Sequence, residues 1–147
     1  MRTLKPLYVS VLAVLTFLLF EVATPAKAQG PAYLHAISDL RSARVYLQWD
    51  SNNAPQRAAE RQKAINEISK AIDEMKKAAF RDGKDVWQSP PPQSGGDPAA
   101  PFHTAVRLLR EARSDVDHGY DLPENNGLRE RSFKHINDAL AHLEPFL

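Results

Sequence analysis

Four stretches of this chain carry apolar residues at three- and four-residue intervals, and they read as one pair of helices written twice. The first runs over about 31–49, with Tyr33, Ala36, Ile37, Leu40, Ala43 and Leu47 on one face. The second runs over about 54–80, with Ala64, Ile65, Ile68, Ala71, Ile72, Met75 and Ala79. The third, about 99–118, carries Phe102, Ala105, Val106, Leu109, Ala112 and Val116. The fourth, about 122–143, carries Phe133, Ile136, Ala139, Leu140 and Leu143. Charged residues fill the opposite faces, as on bundle helices. No period-two alternation argues for a strand.

The copies superpose in register. Pro55, Arg61, Ile68 and Ala71 recur at one constant offset as Pro123, Arg129, Ile136 and Ala139; at the same offset Ile65, Ile72 and Met75 recur as Phe133, Leu140 and Leu143. Ala36, Leu40, Arg41, Ala43 and Arg44 recur, at an offset longer by a single position, as Ala105, Leu109, Arg110, Ala112 and Arg113, with Tyr33 matched by Phe102. Apolar matches alone would follow from any two amphipathic helices, but the matching prolines and arginines would not. The expected fold is therefore all-α: an up-down-up-down four-helix bundle made of two duplicated helical hairpins, occupying 29–147, with a Pro-rich linker over 81–98. Asn53 before Pro55, and Asp121 before Pro123, are the expected N-caps. Gly83 is the expected stop of the second helix and Gly119 of the third. Arg44 and Arg113 adjoin the apolar stripes and are expected to pair with acids such as Glu67, Asp73, Glu111 or Asp115.

The linker holds Pro90-Pro91-Pro92 followed by Gly95-Gly96, which suits neither helix nor sheet. It is read as a spacer lying along the bundle, pinned by Val86 or Trp87. The alternative is a docking segment for a protein partner, since proline strings seat on aromatic grooves.

Residues 1–28 read as a cleavable export signal. Arg2 and Lys5 precede an uncharged run from Leu7 to Phe20, and Ala26-Lys27-Ala28 supplies small residues around a cleavage point. The run is short of the ~20 residues that span a bilayer. The expected product is exported to the periplasm or the medium, with no membrane insertion after signal cleavage, as a monomer or weak dimer. Of 19 Lys+Arg and 18 Asp+Glu, the signal contains three bases and one acid, so the remainder carries a formal charge of −1. That balance gives no concentrated basic field for nucleic acid. With no cysteine, disulfides, thiol catalysis, thiolate metal sites and lipid attachment through cysteine are excluded.

The histidines are the residues that invite chemistry. In an up-down-up-down bundle, His35, His103 and His142 approach one end. His35 and Asp39 share a face, as do His135, Asp138 and His142. The alternative reading is thus a haem or transition-metal carrier, with His35 and His142 on a cofactor, or His35, Asp39, His103 and His142 on a metal. No cofactor is required by the sequence. No nucleophile elbow or Gly-rich phosphate loop occurs, and the carboxylates do not resolve into an acid–base pair. A binding or structural role without catalysis is expected.

The signal, Tyr33-Leu34-His35-Ala36-Ile37-Ser38-Asp39-Leu40-Arg41, Asp82-Gly83-Lys84 and His135-Ile136-Asn137-Asp138-Ala139 together resemble the small exported bacterial helical proteins of uncharacterised function. The resemblance spans the mature chain and implies a four-helix fold without an activity. The layout also resembles the cytochrome b562-type bundles. That likeness implies axial haem ligands at the positions of His35, where the family has a methionine, and His142.

Overall fold

The structure, a computed structural model, describes residues 32–88, 91–92, 95–118 and 126–147. Residues 1–28, read above as an export signal, Pro90, Gly119 and the expected Asp121–Glu124 cap lie outside the described residues. Among the described residues there are four α-helices: α1 (Ala32–Trp49), α2 (Pro55–Arg81), α3 (Pro101–His118) and α4 (Asn126–Leu143). Short 3-10 turns follow at Val86–Gln88 and Glu144–Phe146. The expected all-α four-helix bundle of two hairpins is what the chain forms. α4 is described from Asn126 onward, and its expected start near residue 122 lies outside the described residues.

Each helix presents the same four-residue core pattern. Ala36-Leu40-Ala43-Leu47, Ala64-Ile68-Ala71-Met75, Ala105-Leu109-Ala112-Val116 and Ser132-Ile136-Ala139-Leu143 follow a 4-3-4 spacing, small alternating with large, and all sixteen are fully buried. This is a heptad seam, and the small residues let two helices approach while the large ones fill the space between. α1 packs most closely on α3, and α2 on α4; the partners within each hairpin touch less. Burial follows the repeat: Tyr33 and Phe102, Ile37 and Val106, and Ile72 and Leu140 are buried in both copies. Among the described residues with no exposed surface, two break the equivalence by burying a polar group. Asp39 is fully buried where the other copy has Leu108, and Ser132 where it has Ala64.

Both hairpins turn on the same arginine. Arg61 Nη1 donates to the Asp50 carbonyl at 2.6 Å and to Asp50 Oδ2 at 3.2 Å. Its counterpart Arg129 donates through Nη2 to the Asp117 carbonyl at 2.7 Å and to Asp117 Oδ1 at 2.9 Å. In the first hairpin Arg57 Nε adds a bond to Asp50 Oδ2 at 3.2 Å, and its guanidinium lies 3.9 Å from the centre of the Phe102 ring. Arg61 also donates to the Asn53 side-chain oxygen at 3.3 Å, and Asn53 is not the N-cap of α2. That position is Ala54, with no side-chain cap, and Pro55 opens the helix as expected. Arg44 and Arg113 do not find the expected acids. Arg44 reaches Ser69 at 3.4 Å and Arg113 reaches Asn137 at 3.5 Å. Ser69 and Asn137 are themselves equivalent positions of the two copies, so this contact, too, is made twice.

At the far end of α2 the chain stops as the glycine requires. Gly83 adopts φ +64°, its N–H bonds to the Phe80 carbonyl at 3.2 Å, and the Lys84 N–H bonds to the Ala79 carbonyl at 2.8 Å. These are the two bonds of a Schellman cap.

The helix directions depart from expectation. Glu60 meets His142, Glu67 meets His135 and Glu74 meets Arg131, so α2 and α4 are antiparallel. The start of α3 sits beside Arg57, which bonds Asp50 just past the end of α1; Gly96, just before α3, lies against the Tyr46 ring near that same end. The bundle is therefore up-down-down-up, not up-down-up-down. The two hairpins are related by an approximate two-fold axis, and Glu67 with its equivalent His135 meet on it. The linker makes this order possible. Eighteen helical residues rise about 27 Å, whereas some twenty extended residues reach twice that far. The linker leaves α2 at one end, contacts the middle of α1 through Val86, and delivers α3 at the other end.

Candidate functional site

The heptad spacing that builds the core also lines up a row of charges outside it. Glu60, Glu67 and Glu74 stand two helical turns apart in succession on α2, each followed one turn later by a lysine bonded to it at 2.7 Å (Lys63, Lys70 and Lys77). Their second oxygens cross the seam to α4. Glu60 Oε2 pairs with His142 Nδ1 at 2.7 Å, Glu67 Oε2 with His135 Nδ1 at 2.6 Å, and Glu74 Oε2 with Arg131 Nε at 2.9 Å. On α4, Lys134 bonds Asp138 one turn away. Asp138 lies close enough to Glu67 and His135 that donor atoms of all three fall within 4.8 Å of one another, in a half-buried cluster.

These contacts set the protonation of the row. The hydrogen bonds from Lys63 and then His142 hold the Glu60 carboxyl below its ordinary value. Burial pushes Glu67 upward, but the hydrogen bonds from Lys70 and His135 together outweigh it and hold the carboxyl low. For Glu74 the Lys77 bond dominates, with burial opposing and Arg131 adding to the lysine. A carboxylate held low in the folded state stabilises the fold above its unfolded value and loses that contribution as pH falls through its folded one. The melting temperature is therefore expected to be level from pH 7 to about 5 and to fall below about 4.5. Replacing all three glutamates by glutamine should flatten that acid limb; an unchanged limb would show that other carboxylates govern acid unfolding. Because these side chains are partly in water, the effect is modest.

A second surface feature lies where α2 hands over to the linker. Phe80 is 85 % exposed and Trp87 79 % exposed, and both line a cleft of about 690 Å³ together with Lys76, Lys77, Arg81 and Lys84. Arg41 holds the linker here. Its Nη1 donates to the Val86 carbonyl at 3.1 Å, and its guanidinium lies 5.4 Å from the Trp87 ring centre; Lys76 Nζ lies at 6.0 Å. Val86 packs against the core, so of the two expected pins it is Val86 that anchors and Trp87 that projects.

The sequence-predicted histidines are not brought together. His35 is near the start of α1, with Nδ1 buried and no hydrogen-bond partner for it among the described residues; Asp39 is fully buried one turn on. Tyr33, beside them, has its phenol pushed well above the ordinary value by burial and by the Asp82 carboxylate. His103 is exposed near the start of α3, edge-on to Phe102, and His142 is half-buried on Glu60. Up-down-down-up order places His103 and His142 at one end of the bundle and His35 and Asp39 toward the other. Neither the haem pair His35–His142 nor the metal set His35, Asp39, His103 and His142 is assembled. Sequence reasoning misses the glutamate row, because it takes the carboxylates only as part of the charge that fills the faces opposite the apolar stripes. Two signals could have found it: the Glu-x-x-Lys motif repeating at heptad intervals from Glu60, and His135 and His142 set apart by that same interval.

No helix among the described residues is long and apolar enough to cross a membrane. Compared with known protein families, curated proteins and solved structures, the chain matches none of them.

Proposed function

We propose that the chain is an exported, non-catalytic binding protein whose helical bundle displays the α2–linker corner to a protein partner. The observation that carries the reading is the pair Phe80 and Trp87, two large apolar side chains left in solvent while the sixteen seam positions are sealed. Aromatic anchors among four cations and a single acid, Asp85, suit a partner segment that brings its own apolar side chain among acidic residues. Lys76, Lys77, Arg81 and Lys84 supply the rim, and the Arg41–Val86 bond keeps the corner in place without depending on the proline string itself. The separation of His35 from His142 does not favour a haem carrier built on that pair.

Photo-cross-linking in the cells that produce the protein tests the reading. A photoreactive phenylalanine at position 80 or 87 is expected to give one discrete adduct, absent when the probe sits at Gln62 or Arg110 on other exposed faces. An adduct of equal yield from all four positions, or none from 80 and 87, would contradict it. For the histidine alternative, haem titration of the wild type and of a His35→Ala/His142→Ala variant should give the same Soret response; loss of a Soret band in the variant alone would restore the carrier.

A further inference from the structure

On the approximate two-fold axis, Glu67 reaches across from α2 to His135 and Asp138 on α4. We propose that these three residues form a binding site for a divalent transition-metal ion such as Zn²⁺. One imidazole nitrogen and two carboxylate oxygens make a donor set suited to such ions, and a histidine and an aspartate one turn apart point from one helix face to the same place. The site needs little rearrangement. Around a tetrahedral ion with bonds of about 2.0–2.1 Å, donors stand about 3.3 Å apart. The three donor atoms already lie within 4.8 Å, and His135 Nδ1 and Glu67 Oε2, now 2.6 Å apart, have only to part slightly. A water fills the fourth position.

The lysines explain how the site stays folded without an ion. Lys70 holds the other oxygen of Glu67, and Lys134 bonds Asp138, so the two carboxylates are balanced by two ammonium groups. Both lysines are mostly in water, at 57 % and 69 % exposure, and swing away at small cost when the ion takes over the carboxylates. Since the donors come from two helices in close contact, the ion ties α2 to α4 across the axis, and binding to the folded state raises its stability. The pair Glu60–His142 lies two turns along α2 and brings only two donors, so it is the internal control.

Isothermal titration of the full mature protein, prepared without a histidine tag, with Zn²⁺ is expected to show one ion per chain and a melting temperature that rises with Zn²⁺. Asp138→Asn and His135→Ala should each weaken binding at least tenfold and abolish the thermal shift, while His142→Ala leaves both unchanged. Asp138 is only partly buried, so that variant should fold even if His135→Ala does not, as circular dichroism will show. No saturable binding in the wild type, equal affinity in Asp138→Asn, or loss of the site in His142→Ala would each overturn the proposal.

Discussion

Replacing Ile68 or Ile136 by alanine is expected to cost about 2–5 kcal/mol each, measured as the shift in urea unfolding. Both side chains are 0 % exposed and occupy the same large position in the seams of α2 and α4. Each is flanked along its own helix by small residues, Ala64 and Ala71 for one and Ser132 and Ala139 for the other, so few neighbours can lean in to fill the space. The cavity contribution should therefore be near the upper part of the usual range. Their equivalence predicts two losses of similar size. Their helices are in close contact, so the double variant should depart from the sum of the single ones. A loss below about 0.5 kcal/mol at either site, the scale of a surface change, would contradict its place in the seam.

The second large effect is expected at Asp50. This carboxylate is 8 % exposed and accepts from both Arg57 and Arg61, whose side chains are 19 % and 15 % exposed. Asp50→Ala removes the only acid these two guanidinium groups are paired with in the ion pairs described, and leaves them crowded at the turn between α1 and α2. Breaking a buried pair from one side costs about 3 kcal/mol. The second hairpin supplies the comparison. Asp117 makes the same contact with Arg129 but is 58 % exposed, so Asp117→Ala should cost less than about 1 kcal/mol. Equal losses at the two aspartates would mean that burial does not set the value of this contact.

The parts of the fold legible in the sequence are those encoded within one helix or one turn. Apolar spacing marks all four helices, the matched arginines and alanines mark the doubled hairpin, and Gly83 marks the end of α2. Each rests on a few neighbouring residues. The parts that are not legible depend on how distant segments are set against one another. Nothing local in residues 81–100 says which end of the bundle α3 starts from, because the segment is long enough for either. Once that direction is reversed, His35 parts from His103 and His142. The partners of Glu60, Glu67 and Glu74 follow from the same choice, since antiparallel contact of α2 and α4 is what sets Glu60 against His142 and Glu67 against His135. Arg44 and Arg113 show a related difficulty. Their position beside the stripe is readable, but Ser69 and Asn137 become their partners because those residues face them across each hairpin. Pro55 places the start of α2 correctly, whereas Asn53 does not serve as its cap because the helix opens at Pro55 with Ala54 in the cap position, and the Asn53 oxygen accepts from Arg61 instead.

Helix direction is therefore the claim on which the rest stands, and the absence of native cysteine makes it directly measurable. Spin labels attached through His103→Cys and Lys77→Cys report the distance between the start of α3 and the end of α2. Phe102 lies on Arg57, and Lys77 is far along α2 from there, a rise of about 30 Å. Double electron–electron resonance should accordingly give a distribution centred at about 30 Å, the rise of the helix between them. A centre below about 20 Å, the span of adjacent helix axes about 10 Å apart plus two label arms, would place both labels at one end of the bundle and contradict the up-down-down-up order.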